Sequence, residues 1–183
     1  MSTAGLLLAA GAGSRMGMPK ALVHDGEQSW LARAVQVLRD GGCDDVTVVL
    51  GAAADEAMPL LDGLGVDVAV ATDWAEGMSA SLHAGLAALP AGADAAVVLL
   101  VDLPDVTAEV VRRVVAAGVG PDDLARASYD GRPGHPVLLG RAHWAGVQGS
   151  ATGDRGARDY LGSAGARLVE CGDLATGQDV DAR

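Results

Sequence analysis

The chain has 183 residues, 50% hydrophobic and 20% charged, which fits one globular core and excludes a disordered or fibrous protein. Its 13 Lys and Arg stand against 24 Asp and Glu, a formal net charge of −11 that weighs against a nucleic-acid or anionic-membrane surface. The longest strictly apolar run, Ala95 to Val101, falls far short of the roughly 20 residues of a bilayer-spanning helix. Met1 to Leu8 carries no Lys or Arg ahead of its apolar stretch and no cleavage pattern, so a cytoplasmic protein is expected. Cys43 and Cys171 have no C-x-x-C spacing and read as buried or idle thiols.

In chain order, Leu6 to Ala10 is a short apolar run between glycines, a buried strand feeding the glycine loop Gly11 to Pro19. From Trp30 to Leu38 the apolar positions Trp30, Leu31, Ala34, Val35, Val37 and Leu38 recur at helical spacing, with Ser29 as N-cap and Gly41 past the end. Val46 to Leu50 is a strand, Ala53 to Leu61 a helix and Val66 to Val70 a strand. After a turn at Trp74 to Gly77, Ser79 to Leu89 is a helix with Ser79 as its cap. Ala95 to Val101 is a central strand covered on both faces, and Thr107 to Ala117 is a helix capped by Thr107. From Gly118 to Gly134 the pattern weakens and predicts a lobe over the sheet's edge. Val137 to Leu139 (strand), Arg155 to Leu161 (helix) and Arg167 to Glu170 (strand) complete the chain. The alternation predicts an α/β fold with a mainly parallel sheet, and no linker divides residues 1–183.

The strongest local signal is Leu7 to Lys20, where strand, glycine loop, Arg15 and Lys20 follow one another. Glycines at 11, 13 and 17 let backbone amides approach a phosphate, and the two cations suit a polyphosphate. Lys20 is the sole lysine beside twelve arginines, so a compact ammonium has been kept there. A tight turn explains the glycines but not the two cations. The loop is not a Walker loop, because Met16 and Met18 stand where its second glycine belongs and Lys20 follows Pro19. It is not a dinucleotide fingerprint either, because Met16 takes the third glycine's place and no acidic residue ends the strand at Leu50, which argues against a nicotinamide oxidoreductase. Asp102 ends the most apolar strand, where ligands bind in such sheets, and is the candidate Mg²⁺ ligand, while Asp105 reads as a turn residue.

Four blocks then carry a family resemblance: LAAGAGSRMGMPK from Leu8, GMSASLHAGL from Gly77, VDLP from Val101, and GRPGHPVLL with GDRGARDYL beyond. The chain resembles the MobA-like nucleotidyltransferases, particularly the molybdenum cofactor cytidylyltransferase group. The resemblance implies a single Rossmann-like three-layer domain with a mainly parallel, mixed sheet, related to nucleotide-diphospho-sugar transferases. It implies transfer of CMP from CTP, with Mg²⁺, to the terminal phosphate of molybdopterin, releasing pyrophosphate. Ala9, Ala10, Gly11, Gly13, Ser14, Arg15, Lys20, Gly77, Ser81 and Asp102 are then the nucleotide-binding set. Lys20, Arg15 and Asp102 are its catalytic members. Ala9-Ala10-Gly11 matches the A-A-G of cytidylyl-transferring relatives, and Ser81 fits either a base contact or helix packing.

The acceptor set implied by the same resemblance is Arg132, Gly134, His135, Pro136, Asp154 and Arg158, with His135 as base, donor or plain turn residue. Asp181 or Asp179 is the expected second metal ligand. The family's D-x-D-T-P stretch here reads Asp179, Val180, Asp181, Ala182, Arg183. A molybdoenzyme apoprotein is the implied recipient of the product. The alternatives are another NTP and another phosphorylated metabolite, or a non-catalytic nucleotide-binding chaperone of a molybdoenzyme.

Overall fold

Strand-forming runs and amphipathic helices alternate as expected in the computed structural model, which describes residues 1–181. Ala182 and Arg183, the end of the D-x-D-like stretch, lie outside the described residues. The strands of the main sheet are β1 (Thr3–Ala9), β4 (Asp45–Leu50), β5 (Asp67–Val70), β6 (Ala95–Leu100), β7 (Leu124–Tyr129), β8 (Arg132–Gly140) and β9 (Arg167–Glu170). β2 (His24–Asp25) and β3 (Gln28–Ser29) form a small separate hairpin. The main sheet runs β5-β4-β1-β6-β8-β7-β9. Its β5, β4, β1 and β6 are mutually parallel, β8 is antiparallel to both neighbours, and β9 is parallel to β7.

Alternate side chains of the central strands feed opposite layers, so a continuously apolar strand makes two cores. Leu7, Val97 and Leu99 meet α1 (Trp30–Asp40) and α4 (Ala108–Val115) through Leu31, Val35, Leu38, Val110 and Val114. Leu6, Leu8 and Val98 meet α3 (Met78–Ala88) and α5 (Arg141–Ser150) through Leu82, Leu86, Trp144 and Val147. These faces make the three layers. Ser29 caps α1, its Oγ accepting from Ala32 N at 3.5 Å.

Four expectations are corrected. The lobe over Gly118 to Gly134 is a hairpin, and Val137 to Leu139 is only the middle of β8. Its glycine and prolines look like loop because they sit at an irregularity: Arg126 pairs with Val137 but Ser128 with Pro133, so residues 134–136 bulge out of the ladder. The helix from Ala53 is α2 (Ala54–Ala57) continued as a 3-10 turn, Met58–Leu61, with Pro59 at the junction. The last helix, α6 (Arg158–Ser163), begins after a 3-10 turn at Gly153–Arg155. Finally, Ser79 does not cap α3. Gly77 occupies the cap, and Ser79 is buried in the first turn.

Candidate active site

The parallel strands β1 and β6 end side by side, and their continuations form the walls of a cavity of about 430 Å³. One wall is the glycine loop. Gly13 has φ +61°, and its carbonyl accepts from Met16 N and Gly17 N at 3.0 Å each. A Cβ there would run into the Met18 carbonyl oxygen, so the turn requires glycine. All ten residues of the predicted nucleotide set line this cavity: Ala9, Ala10, Gly11, Gly13, Ser14, Arg15, Lys20, Gly77, Ser81 and Asp102. Gly77, at φ +107°, brings the start of α3 so close to the Gly153–Arg155 turn that a Cβ would lie 2.6 Å from Asp154 Oδ1.

Lys20 is the electrostatic centre. Its Nζ donates to Asp102 Oδ2 at 2.5 Å and to Asp181 Oδ1 at 3.0 Å. Arg15 Nη1 reaches the other oxygen of Asp181 at 3.4 Å. Burial alone would lower the ammonium's pKa, but the bonds to Asp102 and Asp181 outweigh it and hold it above its ordinary value. Lys20 in turn holds the Asp181 carboxyl below its usual range, whereas burial and the neighbouring Asp181 raise Asp179.

The chain's last described stretch reaches this centre because β6 anchors it. Val180 N donates to Asp102 O at 3.0 Å, and Asp105 Oδ2 accepts from both Thr176 N and Thr176 Oγ1 at 2.6 Å. Asp105, expected as a plain turn residue, is therefore the tether. The result is a cluster in which one oxygen each of Asp102, Asp179 and Asp181 lies within 4.8 Å of the others. Asp102 Oδ1 is buried without a hydrogen-bond partner among the described residues. A hard oxygen donor set with one unsatisfied buried oxygen fits a divalent cation such as Mg²⁺.

A second cavity, about 350 Å³, shares Leu8, Met78, Leu100, Asp102 and Asp154 with the first and extends under β8 and α6. Gly134, His135, Asp154 and Arg158 of the predicted acceptor set line it, as does Asp179; Arg132 and Pro136 line neither cavity. Arg132 sits exposed at the hairpin tip and Pro136 is buried in the sheet, so the motif's ends serve the hairpin rather than the cavity. Burial, reinforced by Arg126, pushes the His135 imidazole down to about 4, so it is neutral at pH 7 and a weak base. Arg126 also lines this cavity and was missed from the sequence, hidden in a segment read as loop. Its signal was a lone charge between Ala125 and Ala127 in an alternating stretch.

A mainly parallel α/β sheet, with a glycine loop, a lysine and clustered carboxylates at its strand ends, defines a nucleotide-handling α/β protein. Residues 5–168 match the MobA-like NTP transferase domain, and the chain belongs to that nucleotidyltransferase family. A curated relative, nicotine blue oxidoreductase of Paenarthrobacter nicotinovorans, is 34% identical over 187 residues, covering 97% of this chain and 91% of the relative. The crystal structure of Rv0371c from Mycobacterium tuberculosis is similar with a TM-score of 0.82 and 27% identity, covering 100% of this chain and 94% of that one. A second structure of Rv0371c is a complex with manganese, at 27% identity and a TM-score of 0.76 over 93% of this chain and 88% of that one. A nucleotidyl transferase from Methanothermobacter shares the fold, with a TM-score of 0.84 at 23% identity over 99% of this chain and 92% of that one. None of the helices among the described residues is long and apolar enough to cross a membrane.

Proposed function

We propose that the protein transfers CMP from CTP to the terminal phosphate of a molybdopterin-type phosphorylated pterin, releasing pyrophosphate. The observation that carries this reading is Lys20, held by Asp102 and Asp181 at the mouth of the glycine loop. A phosphate oxygen of the acceptor attacks the α-phosphorus of CTP. The new P–O bond forms as the bond from that phosphorus to the bridging oxygen breaks, and pyrophosphate takes the electron pair. Such a reaction needs positioning and charge neutralisation rather than a protein nucleophile.

Lys20 meets the α-phosphate and Arg15 the leaving pyrophosphate, while the amides of the loop around Gly11 and Gly13 cradle the chain of phosphates. Asp102, Asp179 and Asp181 would hold Mg²⁺, which when bound supplies neutralisation of phosphate charge. Ala9, Ala10, Gly11 and Ser81 read the cytosine edge. The neutral His135 accepts or donates a hydrogen bond to the acceptor rather than removing a proton. The dinucleotide product would pass to a molybdoenzyme apoprotein in the cytoplasm.

The test is pyrophosphate release with molybdopterin and each of CTP, GTP, ATP and UTP, with and without Mg²⁺. Selective release with CTP is expected; release with GTP alone would move the base assignment, and none with any nucleotide would overturn the reading. The curated relative's name favours a second reading, in which this scaffold serves an oxidoreductase. Oxidation of NADH or NADPH by the purified protein, with a dye as acceptor and no pyrophosphate release, would establish that reading instead.

A further inference from the structure

Arg126 stands out in a chain of net charge −11, because it is a half-buried cation with no carboxylate within ion-pair distance among the described residues. It projects from β7 into the second cavity, where a lone charge taken out of water is costly unless something compensates it. The compensation inside the protein is only partial. Nε and Nη2 both donate to Gly134 O at 3.2 Å, which fixes the guanidinium plane. Nη1 has no protein acceptor among the described residues. The bulge in β8 at residues 134–136 turns that carbonyl toward Arg126, so the arrangement is built by the backbone rather than by a mobile surface side chain.

A second guanidinium, Arg158 on α6, lines the same cavity and likewise forms no ion pair among the described residues. Burial and the repulsion of Arg158 both lower the Arg126 pKa, so the pair is unfavourable while nothing lies between them. Leu82, Val98, Val137 and Leu139 supply an apolar stretch of wall, beside His135 and Arg155. Of its acidic groups, Asp102 and Asp179 belong to the cluster beside Lys20, and Asp154 is shared with the first cavity and forms no ion pair with either arginine among the described residues.

We infer that Arg126 and Arg158 form the anion subsite of the second cavity, which takes a phosphate monoester carrying a flat apolar body. This rests on the nucleotidyl-transfer reading only in making that ligand the acceptor. The guanidinium edge left open by Gly134 meets the phosphate oxygens, Arg158 closes on them from α6, and the ring system lies against the apolar wall. Such an anion relieves the repulsion between the two cations, which a neutral ligand would not.

The probe is phenyl phosphate, titrated calorimetrically into the full-length protein without nucleotide, with Mg·CTP titrated into the same samples. Wild-type protein should bind phenyl phosphate, and Arg126→Gln should weaken that binding about tenfold or more while leaving the Mg·CTP affinity in place. Arg126→Lys should recover only part of the loss, because an ammonium lacks the planar fork. Arg158→Gln, an exposed position, should weaken the probe in the same direction and decides the question should Arg126→Gln not fold. Phenyl phosphate binding that is absent from wild type, unchanged in Arg158→Gln and Arg126→Gln, or abolished by Lys20→Ala overturns the inference. Failure of Mg·CTP to bind wild type would overturn the nucleotide reading and leave the anion result standing.

Discussion

The two halves of the sheet treat charge in opposite ways. Where β1 and β6 end, cation and anion are already paired: Lys20 touches Asp102 and Asp181, and Arg15 touches Asp181. Under β7 and β8, Arg126 and Arg158 face a cavity without a carboxylate partner among the described residues. A paired centre can release its lysine only to a ligand that replaces both partners, a phosphate for the ammonium and a cation for the carboxylates. An unpaired centre needs only an anion. The first arrangement suits the metal-bound polyphosphate of the proposed function, and the second suits the simpler phosphorylated group inferred above.

The largest effect on this contrast comes from dismantling the paired centre. Lys20→Ala or Asp102→Ala should keep the fold, by circular dichroism and melting, and slow pyrophosphate release by about 10² to 10³. Wild-type-like turnover in either would remove the centre from the chemistry. Next is the seam between the halves, where Gly77→Ala places a methyl group at φ +107° against Asp154 and Gly153. Denaturant unfolding should report a loss of about 1–3 kcal/mol.

Ser81→Ala sharpens the base assignment on the paired side. Loss of one base contact should weaken CTP by about 1 kcal/mol with the melting temperature unchanged. Unchanged CTP affinity with a lowered melting temperature would assign Ser81, 6% exposed, to helix packing.

The smallest effect lies on the unpaired side, in the exposed staple that holds its hairpin. Glu170 accepts from Ser128 Oγ, Asp130 N, Gly131 N and Gly172 N, led by the Ser128 bond, and its carboxyl is held at about 2 rather than 4.5. A depressed carboxyl contributes stability that is complete above the unfolded value and drains away as pH falls from 4.5 toward 2. Glu170→Gln should therefore lower the melting temperature at pH 7, where the carboxylate's contribution is complete, converge with wild type near pH 2, and flatten the melting curve between those limits.

The legible part of the site is the part made by contiguous chain. The strand, glycine loop, Arg15 and Lys20 follow one another over Leu7 to Lys20, and Asp102 ends a run whose apolar character marks a central strand. Arg126 escaped because β7 is amphipathic and β8 opens on Arg132-Pro133-Gly134, residues that read as loop until the bulge makes them strand. α5 escaped too, its two glycines, Gly146 and Gly149, diluting the helical pattern.

Sequence by itself determined the α/β alternation, the parallel strands around β1 and the glycine loop that carries Arg15 and Lys20, because local periodicity and glycine placement act within a few residues. The resemblance offered Asp181 or Asp179 as a second ligand, but only the tertiary structure brought both beside Asp102, more than seventy residues away along the chain. It also decided that Arg126 and Arg158, from a strand and a later helix and without an ion pair among the described residues, share one cavity. Those juxtapositions come from the order of strands in the sheet and from the Asp105 tether to Thr176. Both are long-range interactions, and no window of sequence carries them.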